Sequence, residues 1–403
     1  MKYVVILCDG MADRAVAELG GKTPLMVANK PNMDRLASLG QIGLVKTVPD
    51  DLKPGSDVAN LSVMGYAPDK YYTGRSPLEA ISMNIDLAPD DIAIRCNLVT
   101  LSDAPLYEDK VMVDYSSGEI TTEESRALMS YLAEHLNDEL HSFYGGISYR
   151  HCLVRHHGAI GNDLTPPHDI SDKVIGEHLP KGEYGDEFLA LMKRSYELLK
   201  DHPINKDRES RGLHPANSIW LWGEGTRPNL TPFKEEFGLN GAVISAVDLI
   251  KGIGLSAKMK VFEVEGATGN LNTNFVGKAH KTIEALKDGY DYVYLHMEAP
   301  DECGHQGDVE GKVKAIETID RDVVAYIDSE LRAMDEPFKI LLLPDHPTPL
   351  CIKTHSREPV PFILYDSTKP SNKMFVRYDE ESAKETGVYF ATAPELMRYF
   401  ISK

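Results

Sequence analysis

The chain alternates short, continuous apolar runs with longer stretches in which apolar residues recur every three or four positions. The runs are "YVVIL" (3–7), "GAVISA" (241–246), "KVFEV" (260–264), "DYVYLHM" (291–297), "KILLL" (339–343) and "PFILY" (361–365). A run without polar alternation fits a strand buried on both faces, as in a parallel sheet covered by helices. "KPNMDRLASLG" has helical spacing and ends in Gly40, a candidate for the residue just past a helix. The stretch 311–334 puts Val313, Ile316, Ile319, Val323, Ile327 and Leu331 on one helical face. Strands alternating with helices predict an α/β fold with a doubly wound, mostly parallel sheet.

The middle breaks this rhythm. From Asp86 to Arg211 there are short strand-like pieces, an amphipathic stretch over 121–137, and loops such as "RHHGAIGNDLTPPHD". This region is expected to be a smaller α+β domain, 86–211, inserted into a core formed by 1–85 and 212–403. No internal repeat or low-complexity tract interrupts either part.

Composition narrows the function classes. With 43 Lys and Arg against 62 Asp and Glu, the chain carries a formal charge of −19. That charge repels nucleic acid and anionic membranes, so neither is expected as a partner. An anionic substrate then needs a locally basic pocket or bound cations. The five cysteines, Cys8, Cys96, Cys152, Cys303 and Cys351, form no C-x-x-C pair, which suits a reducing compartment. The apolar run before Asp9 is too short for a signal segment or a span, and no later run reaches the length of one. A cytoplasmic protein is expected; a homo-oligomer is compatible with the sequence.

The chemistry gathers at the ends of the apolar runs. In open α/β sheets, ligands bind beyond the carboxyl ends of the strands. The first run ends in Asp9. "YVYLHMEAPDECGH" supplies Asp301 and His305, whose i, i+4 spacing puts both on one helix face. "LLLPDHPTPLCIKTHS" supplies Asp345, His346 and His355. Each feature alone is ordinary, since an Asp-His pair is usually a turn or a cap. Together they make six carboxylate and imidazole ligands, enough for two divalent ions, and paired ions suit phosphoryl chemistry. "PGSDVANLSVMGY" adds Ser56 at the start of a predicted helix, where an anion is favoured. Helix capping explains the same serine equally well; among metal ligands it is also a candidate nucleophile. "GGKT" (20–23) imitates the end of a phosphate loop, but Val16 stands at the first glycine position and no strand leads into it.

As a set, these residues resemble the alkaline phosphatase superfamily, and more closely the archaeal-type, cofactor-independent phosphoglycerate mutases. The resemblance rests on "VVILCDGMAD", "PGSDVANLSVMGY", "YYTGRSPLEA", "IRCNLVT", "SYRHCLV", "SAVDLIKGIG", "EGATGNLNT", "DECGHQGDVEGKVKAIETID" and "PDHPTP…THS", in order along nearly the whole chain. It implies a sheet of alkaline-phosphatase type and exchange of phosphate between the 2- and 3-positions of glycerate, a glycolytic step. It further implies one ion held by Asp301, His305 and His355, and another by Asp9, Ser56, Asp345 and His346. The ions would be manganese by family habit, with zinc or magnesium compatible with the same O/N donors. Ser56 would carry the phosphoryl group while the inserted domain holds the small acid substrate. Arg95, Arg150, His151 and Arg211 are the candidates for that hold, since an arginine fork suits carboxylate and phosphate.

Two departures bear on the substrate. Glu298 stands where these mutases tend to have lysine, and Pro344 where glycine is common. They keep open a related phosphotransferase, such as the homoserine kinases proposed among bacterial relatives, and a phosphatase. A binding protein with a relict site is the reading from another class; the full ligand set argues against it.

Overall fold

The computed structural model describes residues 1–371 and 376–402. Its contacts divide the chain into Met1–Tyr72 with Asn229–Lys403 as one unit and Thr73–Pro228 as another. The smaller unit is thus wider at both ends than the expected 86–211. The reason lies in pairing: the strand at 218–226 joins the smaller unit's sheet, and the helix Ser76–Ser82 packs on that sheet.

Among the described residues, the larger unit is built on eight strands. They are β1 (Lys2–Cys8), β2 (Gln41–Val45), β8 (Gly241–Ile244), β9 (Lys260–Phe262), β10 (Tyr292–Met297), β11 (Phe338–Leu343), β12 (Val360–Asp366) and β13 (Tyr389–Phe390). The smaller unit contributes β3 (Ile92–Leu101), β4 (Met112–Asp114), β5 (His141–Ile147), β6 (Arg150–Arg155) and β7 (Ser218–Thr226). The large sheet runs β13-β2-β12-β11-β1-β10-β8-β9. Every neighbouring pair is parallel except the two that involve β12, so the sheet is mostly parallel with one reversed strand. The apolar runs explain this placement. All of β10 and β11 is buried, and β1 is buried from Tyr3 onward, because helices cover both faces. At the edge, β9 is short and keeps exposed and partly exposed residues, which limits the unpaired edge it offers.

Two local expectations are corrected. The helix over 311–334 is interrupted by a wider π-helical turn at Ile319–Val324 between Val309–Thr318 and Ala325–Ala333. There the Asp320 carboxylate accepts from the backbone N–H groups of Asn32 and Met33, capping the helix Pro31–Leu39. Gly40 follows that helix in extended conformation rather than the left-handed one. It is glycine for room, because a Cβ there would lie 2.5 Å from the Leu364 carbonyl oxygen.

In the smaller unit β3 lies between β6 and β7, all antiparallel, with β5 beyond β6. The amphipathic stretch forms the helix Thr122–Leu136, capped by the Thr121 hydroxyl and burying Leu128, Met129, Leu132 and Leu136. Among the described residues, no helix is long and apolar enough to cross a membrane.

Candidate active site

β1 sits between β10 and β11, and their ends are level: Cys8 pairs with Met297 and Leu7 with Leu343. The residues that follow therefore emerge together at the carboxyl edge. Asp9 follows β1. The helix Ala299–Gln306 follows β10 and carries Asp301 and His305 one turn apart. Asp345 and His346 follow β11. β12 enters from the same edge because it is reversed, and the loop leading into it carries His355. Gly10 lets these segments close up: with φ +60°, a Cβ there would stand 2.5 Å from both Asp301 Oδ1 and Thr348 Oγ1.

Two adjoining groups result. In one, His346 Nε2 lies 3.2 Å from Ser56 Oγ, 3.3 Å from Asp345 Oδ2 and 3.7 Å from Asp9 Oδ1. In the other, Asp301 is 3.2 Å from His305 Nε2 and 3.5 Å from His355 Nε2, and the two imidazole nitrogens are 3.0 Å apart. Oxygen and nitrogen ligands bonded at about 2.0–2.2 Å to one tetrahedral ion stand about 3.4 Å from each other. The donor atoms are spaced accordingly. Asp301, His346 and His355 also fall within one ligand-sized cluster, as do Asp9, Asp345 and His346, so His346 borders both groups. A second fit comes from Asp9 Oδ1, a buried carboxylate oxygen with no hydrogen-bond partner among the described residues. The donors are all oxygen or imidazole nitrogen, which suits Mn²⁺, Mg²⁺ or Zn²⁺.

Ser56 opens the helix Ser56–Val63, after a Pro-Gly turn. The cap position falls on Gly55, and the Ser56 hydroxyl bonds His346 rather than a backbone N–H; Asp57 takes the Val58 N–H.

Several supporting residues were not evident in the sequence. Asn60, one turn after Ser56, donates to Asp345 Oδ2 and to the Ser56 carbonyl, both at 2.8 Å, and accepts from the Tyr294 hydroxyl at 2.6 Å. The buried His296 donates from Nε2 to Asp9 Oδ2 at 3.0 Å. The Thr348 hydroxyl donates to Asp301 Oδ1 and accepts from His346 Nδ1 at 3.3 Å, which leaves His346 Nε2 as a lone-pair donor facing Ser56. Lys278, wholly buried, donates to the His296 carbonyl at 3.1 Å and feels the charge of Glu298. The available signal was polar residues inside apolar segments: His296 in "YVYLHM" and Lys278 in the helix Phe275–Lys287.

The electrostatics of the two groups differ. Burial pushes the Asp9 carboxyl well above the usual range, and Asp345, Asp301 and Glu298 push it further. Burial acts on Asp301 the same way, but His305 and His355 outweigh it and hold that carboxyl well below the usual range. Contact with Asp301 raises His305 to about 9. Burial lowers His296 to about 3 and Lys278 to about 8. A bound cation would reverse the shift of Asp9, favouring its ionised form, and would act on Asp301 in the direction the imidazoles already do.

The smaller unit holds the expected arginines. Arg95 on β3 is buried against Trp222, 4.2 Å from guanidinium to ring, and reaches Glu79 at 3.2 Å. Burial lowers its pKa to about 10. Arg75, which the sequence reading missed, meets the same Glu79 at 2.8 Å, and Arg150 adds its field there. Three guanidiniums around one carboxylate favour an anion. His151 follows Arg150 on β6 but is paired with Cys96 rather than Arg95, so it is buried on the other face of the strand; its Nδ1 accepts from Gly146 N–H, and its Nε2 has no partner among the described residues. Arg211 is not brought into this group. Its guanidinium meets Glu124 at 2.5 Å and Asp207 at 2.9 Å.

Comparison with known proteins adds an independent line. A family model described as 2,3-bisphosphoglycerate-independent phosphoglycerate mutase matches residues 37–205. A protein of that name from Methanosarcina barkeri is 51% identical over 98% of both chains. One from Geobacter sulfurreducens, named as a probable enzyme of the same kind, is 49% identical over 100% of both. Among solved structures, a Pyrococcus horikoshii protein superposes with TM-score 0.83 at 30% identity, covering 100% of this chain and 98% of its own. The cofactor-independent phosphoglycerate mutase of Thermoplasma acidophilum gives TM-score 0.65 at 26% identity, covering 100% and 99%.

Proposed function

The chain belongs to the 2,3-bisphosphoglycerate-independent phosphoglycerate mutase family, and from that premise we propose how its own residues perform the reaction. It is an isomerase that interconverts 2- and 3-phosphoglycerate. We assign two divalent ions to the site. One is held by Asp301, His305 and His355, the other by Asp9, Ser56, Asp345 and His346. Mn²⁺ is the proposed ion. When bound, the ions lower the pKa of the serine hydroxyl and neutralise the transferring phosphoryl group.

Ser56 Oγ forms a bond to phosphorus as the ester bond to the substrate oxygen breaks. The proton lost from Oγ is balanced by the one gained by the freed glycerate hydroxyl. The glycerate turns, and its other hydroxyl attacks the phosphoserine. That step reverses the first, restores the Ser56 hydroxyl, and moves the phosphoryl group with no net gain or loss of atoms. His346, oriented by Thr348, and Asn60, bonded to the Ser56 carbonyl, keep Oγ in line. Arg75, Arg95 and Arg150, set by Glu79, are assigned to the substrate carboxylate. Retaining glycerate between the two transfers separates a mutase from a phosphatase, and this hold is what the arginines supply.

The observation that carries the reading is the placing of the uncapped Ser56 hydroxyl 3.2 Å from His346 Nε2, among Asp9 and Asp345. The test is phosphorus NMR of Mn²⁺-loaded protein with 3-phosphoglycerate, and separately with ATP and homoserine. Conversion to 2-phosphoglycerate is expected. Release of inorganic phosphate alone, or turnover only with ATP, would overturn it.

A further inference from the structure

Lys312 lies on the helix Val309–Thr318, whose start is capped by Asp308, and its side chain has no solvent exposure. A buried ammonium is costly unless every donor is used. Here all three are. Nζ donates to Asp13 Oδ2 at 2.7 Å, to the Thr348 carbonyl at 2.8 Å and to the Ala12 carbonyl at 3.3 Å. Those acceptors belong to two loops, one following β1 and one following β11. Asp13 strengthens the junction, since both its oxygens lie 3.3 Å from the Leu350 N–H. The two loops also bond directly, Thr348 N–H to the Ala12 carbonyl. Asp9 lies three residues before Ala12; Asp345 and His346 lie just before Thr348, and His355 lies seven residues after it. The Thr348 hydroxyl in turn contacts Asp301 and His346.

We propose that Lys312 is a positioning residue for the two-ion site. Its buried Nζ, paired with Asp13 and bonded to the Ala12 and Thr348 carbonyls, locks the loops after β1 and β11 in the one arrangement that brings Asp9, Asp301, Asp345 and His346 within reach of common ions. The inference rests on the metal-binding reading above. A structural role alone would need only the ion pair; a positioning role needs the bonds to the Ala12 and Thr348 carbonyls. Two variants separate these. K312M removes the clamp and leaves Asp13 buried without its partner. The double variant D13N/K312M also removes the clamp but strands no charge.

The experiment titrates chelator-treated protein with Mn²⁺ alone, reading free Mn²⁺ by electron paramagnetic resonance, at a temperature where circular dichroism shows every form folded. Wild type is expected to bind two Mn²⁺ per chain. Both variants are expected to bind 10–100-fold more weakly, the usual effect of losing an outer-shell partner. The double variant should remain that weak even with the unfolding midpoint of wild type. Wild-type affinity in K312M, or affinity recovered in the double variant, would overturn the clamp. Wild-type protein that binds no Mn²⁺ would overturn the metal reading itself.

Discussion

Replacing Asp9 by Asn should stabilise the metal-free protein and cripple the metal-loaded enzyme. Asp9 is 2% exposed, and its Oδ1 has no hydrogen-bond partner among the described residues. Leaving a buried polar atom unsatisfied costs about 1–3 kcal/mol, and more when it is charged. Asparagine keeps an oxygen for the His296 N–H, now at 3.0 Å from Oδ2. It turns the other position into a donor facing Asp345, whose charge now adds to the burial that raises Asp9. A gain of about 1–3 kcal/mol, at about 2–4 °C per kcal/mol in a domain of this size, is a rise of several degrees. The pH dependence has a fixed sign. A carboxyl raised on folding contributes stability that is full below its unfolded pKa, about 3.9, and is lost as pH rises through the folded value. Metal-free wild type therefore falls behind Asp9→Asn as pH climbs from about 4 toward neutral. Mn²⁺ should reverse the order, because saturation at a hundredfold over Kd stabilises wild type by about 2.7 kcal/mol, and the variant lacks a charged ligand. The assay is scanning calorimetry of chelated and Mn²⁺-loaded forms between pH 5 and 8. Metal-free Asp9→Asn melting below wild type at pH 7 would show that the carboxylate is structural and refute the reasoning.

Other outcomes follow from the same geometry. Because Ser56 makes no cap bond, Ser56→Ala should keep the wild-type melting temperature while losing turnover; a loss of the 0.5–2 kcal/mol typical of a cap would contradict this. With His305 raised to about 9 in the metal-free protein, Mn²⁺ must displace its proton, so affinity should rise with pH up to about 9, with proton release measurable in weakly buffered titrations. Arg75→Ala should raise KM for 3-phosphoglycerate about tenfold, about 1.4 kcal/mol, with a smaller effect on kcat; unchanged KM would remove Arg75 from the substrate site.

The sequence was informative where chemistry is local. Unbroken apolar runs marked buried strands, and the six candidate ligands stood out because they lie on the segments that follow those runs. Positions fixed by distant pairing were not visible. β7 lies beyond Arg211, yet it pairs with β3 and draws the smaller unit out to Pro228. Arg211 resembled Arg95 in isolation, but Glu124 and Asp207 occupy it. Asn60, His296, Thr348 and Lys312 act through hydrogen bonds to residues from 2 to 300 positions away, so no short motif announces them. Lys312 in particular reads as a surface lysine of an amphipathic helix, and only tertiary packing makes it a buried one.

The central claim is that Ser56 carries the phosphoryl group between the two hydroxyls of glycerate. Rapid-quench intact-mass measurement of Mn²⁺-loaded wild type during turnover of 3-phosphoglycerate, followed by peptide mapping, tests it directly. The account predicts one added phosphoryl mass in a fraction of the chains, on the peptide containing Ser56, and none in Ser56→Ala. A phosphoryl group mapped to another residue, or Ser56→Ala turning over within tenfold of wild type, would contradict it.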